Sequence, residues 1–66
     1  MRNTLKVERA KMNLTQQQLA DKVGVSRQTI NSIEGERYVP STVLALKISE
    51  IFNCAVNEIF ILDKDD

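Results

Sequence analysis

Leu14–Glu34 reads LTQQQLADKVGVSRQTINSIE. Its caps, apolar residues and glycine fall in an order that predicts two short helices joined by a tight turn. Thr15 with Gln18 forms an S/T-x-x-E/Q capping box, in which each side chain satisfies a backbone amide of the other. A helix is therefore expected over about 15–23, with Leu19, Ala20 and Val23 as its buried stripe. Gly24 follows as the expected left-handed closing residue, and Val25 plugs the turn. Ser26 is the N-cap of a second helix over about 26–34, whose inward face is Ile30 and Ile33 at i, i+3. A turn of this length lets the second helix lie across the first. The outward face of the second helix carries Arg27, Gln28, Asn31 and Ser32, side-chain types able to hydrogen-bond base edges in a DNA major groove.

The flanks are also helical in pattern. Thr4–Met12 reads as a first helix, with Leu5 and Val7 supplying its apolar surface. Gly35–Pro40 reads as a loop. Ser41 caps a fourth helix whose Leu44, Ala45, Ile48, Ile51 and Phe52 form an apolar stripe. Asn53–Ala55 is a turn, and Val56–Phe60 a short fifth helix. Ile61 and Leu62 can pair with Met1–Asn3 as a small terminal sheet. The whole, residues 1–66, is read as a single all-α domain of five helices.

Composition narrows the function classes. At 66 residues and 42% hydrophobic, the chain can build one small core. One cysteine, Cys54, and no histidine leave no disulfide and no recognisable zinc or other metal site. Cys54 reads as a small packing residue. There is no glycine-rich phosphate loop and no nucleophile beside a base, so no enzyme, cofactor or small-molecule ligand is expected. No apolar run approaches the ~20 residues of a membrane span, and the start lacks a signal-peptide pattern. A cytoplasmic protein with no membrane association is expected. Net charge is zero, but residues 1–38 carry seven Lys/Arg against four Asp/Glu and residues 39–66 two against five. The basic part coincides with the two-helix unit, although charge alone fits a solvated surface equally well.

The series L-T-Q-x-x-L-A-x-x-V-G-V-S-R-Q-T-I, then I-E, then Y-x-P-S before L-A-L-K-I, resembles the Cro/Xre helix-turn-helix family of phage and bacterial repressors. The resemblance spans about Leu5–Phe60. Length and ends look like the short free-standing members, such as the cytolysin-operon repressor type, which are five-helix dimers with a small sheet joining the termini. It implies a lambda-repressor-like fold and a transcriptional regulator of double-stranded DNA, acting as a homodimeric repressor on a near-palindromic operator. By the same resemblance, Arg27, Gln28, Asn31 and Ser32 occupy base-facing positions. Gln16, Gln17, Ser26, Thr29, Arg37 and Tyr38 are candidates for phosphate contact. Gln16 also has the position that braces the first glutamine of the recognition helix. Gln17 reads equally well as a helix former, and the Tyr38 ring as packing on the core edge. Arg9 and Glu34 match an internal ion pair. Val56, Ile59 and Ile61, not obviously consumed by the core of the first four helices, are the candidate dimer surface.

Three positions depart from the family pattern. Glu36 stands where a glycine is usual, with the glycine at Gly35 instead. Val39 stands where an asparagine often precedes the proline, and Ala55 where a serine or threonine commonly caps the last helix. A competing reading is an antitoxin-like module that neutralises a partner protein, suggested by the acidic tail and by Ile61 and Leu62.

Overall fold

Three of the five helices begin at a hydroxyl cap. The computed structural model, which describes residues 1–66, has α1 (Leu5–Lys11), α2 (Gln16–Val23), α3 (Arg27–Glu34), α4 (Thr42–Phe52) and α5 (Val56–Ile59). The Thr15 hydroxyl accepts from the Gln18 amide at 3.0 Å, and the Gln18 side chain accepts from the Thr15 amide at 2.9 Å, so the capping box is complete. Ser26 accepts from Thr29 N–H at 3.1 Å and Ser41 from Leu44 N–H at 3.2 Å. Each such cap is worth about 1 kcal/mol. α2 closes at Gly24, φ 79°, a left-handed conformation that glycine adopts without a Cβ penalty.

The other two starts are satisfied differently. Thr4 gives α1 no side-chain cap. Instead Asn3 Oδ1 accepts from the Leu5 amide at 3.1 Å while its Nδ2 donates to the Ile33 carbonyl at 2.8 Å. One amide thereby ties the start of α1 to the end of α3. At α5, Ala55 precedes the helix with φ −66° and ψ 148° and has no side-chain acceptor. Glu58 supplies half of a box by accepting from the Ala55 amide at 2.9 Å.

The inward faces meet in one core. Leu5, Leu19, Ile30, Ile33, Ile48 and Ile59 are its largest fully buried side chains, and no polar or charged residue is buried with them. α4 contributes Leu44, Ile48 and Phe52, one turn apart, with Ala45 and Ile51 packed at the edge. The termini pair as an antiparallel two-strand sheet of β1 (Arg2–Asn3) and β2 (Phe60–Ile61), with Arg2 opposite Ile61 and Asn3 opposite Phe60. The Met1 ammonium lies 3.2 Å from Asp63 and 3.1 Å from Asp66, and Arg2 lies 2.8 Å from Asp63, so charge closes the end of that sheet.

Four details differ from the sequence reading. Val7 is 55% exposed: residues two apart on a helix lie on nearly opposite faces, so Val7 cannot share the inward side of Leu5. The last helix ends at Ile59, because Phe60 is extended and joins β2. The pairing therefore uses Phe60 and Ile61, and Leu62 beyond it is 74% exposed. Ile59, read as a dimer contact, is fully buried in the core. It offers no surface to a second chain, because the short α5 needs an apolar residue to anchor it.

Candidate nucleic-acid interface

Burial of Ile30 and Ile33 fixes the rotation of α3. With that side inward, Arg27, Gln28 and Asn31 are exposed and Ser32 half-buried. The four form one outward strip that starts at the helix N-terminus, where a recognition helix meets base edges. Some polar side chains at and along α3 are engaged within the chain. Ser26 and Thr29 hydroxyls are 3.0 Å apart. Asn31 accepts from Arg37 at 2.8 Å. Arg27 and Gln28 project from the first turn without competing partners of this kind.

The opposite end of α3 is pinned. Arg9 Nε donates to Glu34 Oε2 at 2.7 Å and Arg9 Nη2 to Glu34 Oε1 at 3.1 Å, a two-pronged pair whose side chains are 15% and 7% exposed. Arg9 Nη1 also donates to the Leu14 carbonyl at 2.8 Å. Hydrogen bonding to Glu34 raises the Arg9 pKa further above its ordinary value. Gln16 Nε2 donates to the same carboxylate at 3.1 Å. Glu34 thus gathers α1, the start of α2 and the end of α3 at one point. Gln16 reaches Glu34 rather than Gln28, the first glutamine of α3. Gln17 donates to Asp21 at 2.8 Å along its own helix.

The chain after α3 turns back over the strip. The backbone amides of Glu36 and Arg37 donate to the carbonyls of Ile33 and Ser32 at 3.0 and 2.9 Å. Glu36 holds the left-handed conformation at φ 61°, so the turn keeps its geometry without the usual glycine. Gly35 has helical φ −80° and serves a different need. A Cβ there would fall 2.9 Å from Arg37 Cζ, so the missing side chain makes room for the guanidinium. Tyr38 is 47% exposed and stands outside the core cluster. Its ring walls an open cleft of about 250 Å³ with Ser26, Gln28, Thr29 and Ser32. On its other side Tyr38 lines a second cleft with Val23, Val25, Val43 and Leu44, so the residue lies between the outward strip and the edge of the core.

A helix-turn-helix family pattern matches residues 5–59. The chain belongs to the Cro/C1-type helix-turn-helix family. It is 52% identical over 66 residues to an HTH-type transcriptional regulator of Methanocaldococcus jannaschii, with all of both chains covered. It is 41% identical over 66 residues to one of Bacillus subtilis, again over all of both chains, and 47% identical to one of Archaeoglobus fulgidus, covering 93% of that protein. Among solved structures it resembles the SOS-response transcriptional repressor LexA from Eubacterium rectale, with a TM-score of 0.79 and 30% identity. That match takes in 91% of this chain and 63% of the LexA chain. This is a DNA-binding helix-turn-helix transcriptional regulator.

A second, apolar face lies around Val56. Val39 and Leu46 are 63% and 52% exposed. With Met1, Pro40, Val56 and Phe60 they line an apolar groove of about 190 Å³. In the sequence, Val39 and Leu46 lie in a loop and on the outer flank of an apolar helix, and neither position marks them as neighbours. Cys54 is half-buried; burial, then the neighbouring Glu8, pushes its thiol pKa up, which suits a packing role over a reactive one. No helix is long and apolar enough to cross a membrane.

Proposed function

We propose that this regulator is a repressor that binds a near-palindromic operator as a homodimer. In this reading Arg27, Gln28, Asn31 and Ser32 read bases. Arg can pair two-pronged with guanine and Gln with adenine. Phosphates are held by Arg37, Tyr38, Ser26 and Thr29, and by Gln16 and Gln17 at the α2 N-terminus, where free helix amides favour anions. The observation that carries the proposal is the exposed, uncommitted first turn of α3, held rigidly from behind by Glu34.

Dimerisation is supported by the apolar groove. Val39 and Leu46 leave apolar surface open to water beside it, which a second copy would cover. The groove lies on α4, α5 and the preceding loop, and its residues are distinct from the α3 strip. Two copies joined there in C2 symmetry leave both α3 helices free for one duplex. Val56 and the half-buried Ile61 stay in the proposed surface, and Val39, Pro40 and Leu46 take the place of Ile59.

The test is an unbiased duplex selection with purified protein, followed by sedimentation with and without the enriched site. An enriched near-palindrome bound two chains to one duplex is the expected result. Gln28→Ala should weaken that site by about 1–3 kcal/mol and relax one base position. Unchanged affinity in both Gln28→Ala and Arg27→Ala would remove α3 as the reader.

A further inference from the structure

A side-chain amide can read a base by its oxygen or by its nitrogen, and in an isolated asparagine the two ends exchange by a flip. Asn31 is not isolated. Its amide is bonded at 2.8 Å to Arg37. A guanidinium carries five N–H donors and no acceptor, so only the amide oxygen can face it. Chemistry thus assigns the orientation without appeal to hydrogen positions. The Nδ2 end is then directed away from Arg37 along the exposed strip.

The guanidinium lies against the turn that follows α3. Arg37 follows a turn whose amides bond back to Ile33 and Ser32. Its head group lies over Gly35, where any Cβ would crowd it. The left-handed Glu36 aims the chain back across the helix. With glycine at position 35, the guanidinium can rest over the bare Cα; a side chain there would shift it.

We infer that Arg37 is a positioning residue for base recognition, locking Asn31 so that it offers its NH₂ group to the operator. This deepens the proposed DNA-reading role of α3 and rests on it. The base edge selected must present an acceptor to that group: guanine N7 or O6, adenine N7, or thymine O4. Cytosine, which presents a donor amine there, is disfavoured. Arg37 retains further N–H groups for a phosphate oxygen, so one side chain can set both register and reading. Burial beneath DNA strengthens the Arg37–Asn31 bond relative to the free protein, because the interface excludes competing water.

Two variants with different physics test this by selection on randomised duplexes, followed by titration of matched and mismatched sites at fixed salt. Arg37→Lys keeps the positive charge but loses the planar fork. Gly35→Ala leaves Arg37 intact and suits the backbone at φ −80°, yet its Cβ displaces the guanidinium. Asn31→Ala identifies the base position concerned. Wild type should select guanine, adenine or thymine over cytosine there. Both Arg37→Lys and Gly35→Ala should reduce that preference by roughly tenfold, the lower part of what a good base contact provides, while other positions keep theirs. Cytosine enriched at that position in wild type would overturn the inference. So would a uniform loss across all sequences with base preferences unmoved. If wild type enriches no sequence at all, the DNA-reading role of α3 fails first, which is a separate result.

Discussion

Glu34→Ala should be the most damaging conservative truncation outside the apolar core. The carboxylate receives three hydrogen bonds, two from Arg9 at 2.7 and 3.1 Å and one from Gln16 at 3.1 Å. Its side chain is 7% exposed and that of Arg9 15%, so the pair sits nearer the buried than the surface regime. Exposed pairs are worth about 0–1 kcal/mol, whereas removing one partner of a buried pair costs roughly 3–5 kcal/mol, since the other is left uncompensated. Arg9 keeps only the Leu14 carbonyl after the change, and a cost of about 3 kcal/mol is expected. A domain of this size has a total stability of roughly 3–10 kcal/mol, so the variant will be only marginally folded, with Tm lowered by about 12–24 °C. Urea melts at low temperature on wild type, Arg9→Ala, Glu34→Ala and the double variant measure the coupling, expected at roughly 1–3 kcal/mol. Losses that add to within about 0.5 kcal/mol would show that the two residues do not stabilise one another, and that the geometry around Glu34 is not what holds α3.

Ala55→Ser should stabilise the protein by about 0.5–2 kcal/mol, because Ala55 is exposed with N-cap backbone angles; a lower denaturant midpoint would refute this. Glu36→Gly should raise stability by about 1 kcal/mol by relieving a left-handed non-glycine residue, and a melt showing a loss would mean the glutamate side chain makes a stabilising contact. Gly24→Ala, at φ 79°, should cost about 1 kcal/mol or more although its Cβ would meet nothing within 4 Å, since the strain lies in the backbone; thermal unfolding checks it. Leu46→Glu places a charge on the apolar groove at a position already 52% exposed. It should leave the monomer folded and abolish self-association, and a dimer persisting in sedimentation would move the interface elsewhere.

What the sequence determined by itself was local. A cap acts on an amide two or three residues away, so Thr15, Ser26 and Ser41 announce their helices without reference to the rest of the chain. Gly24 marks the turn for the same reason, and the i, i+3 spacing of Ile30 and Ile33 orients α3 and hence its polar strip. Because all of those signals but Ser41 sit within one 21-residue stretch, fold and DNA-binding character could be read together. Tertiary structure decided whatever depended on residues far apart in the chain. Val7 and Ile59 are equally apolar in sequence, yet one faces water and the other the core, because hydrophobicity specifies burial without specifying a partner. Val39, Leu46 and Val56 become one groove only when the loop, α4 and α5 are brought side by side. Gln16 could have turned to Gln28 or to Glu34; the Arg9–Glu34 pair placed a charged acceptor within its reach. At positions 35–37 the polypeptide's path set the outcome, with the guanidinium occupying space that a side chain on residue 35 would have filled.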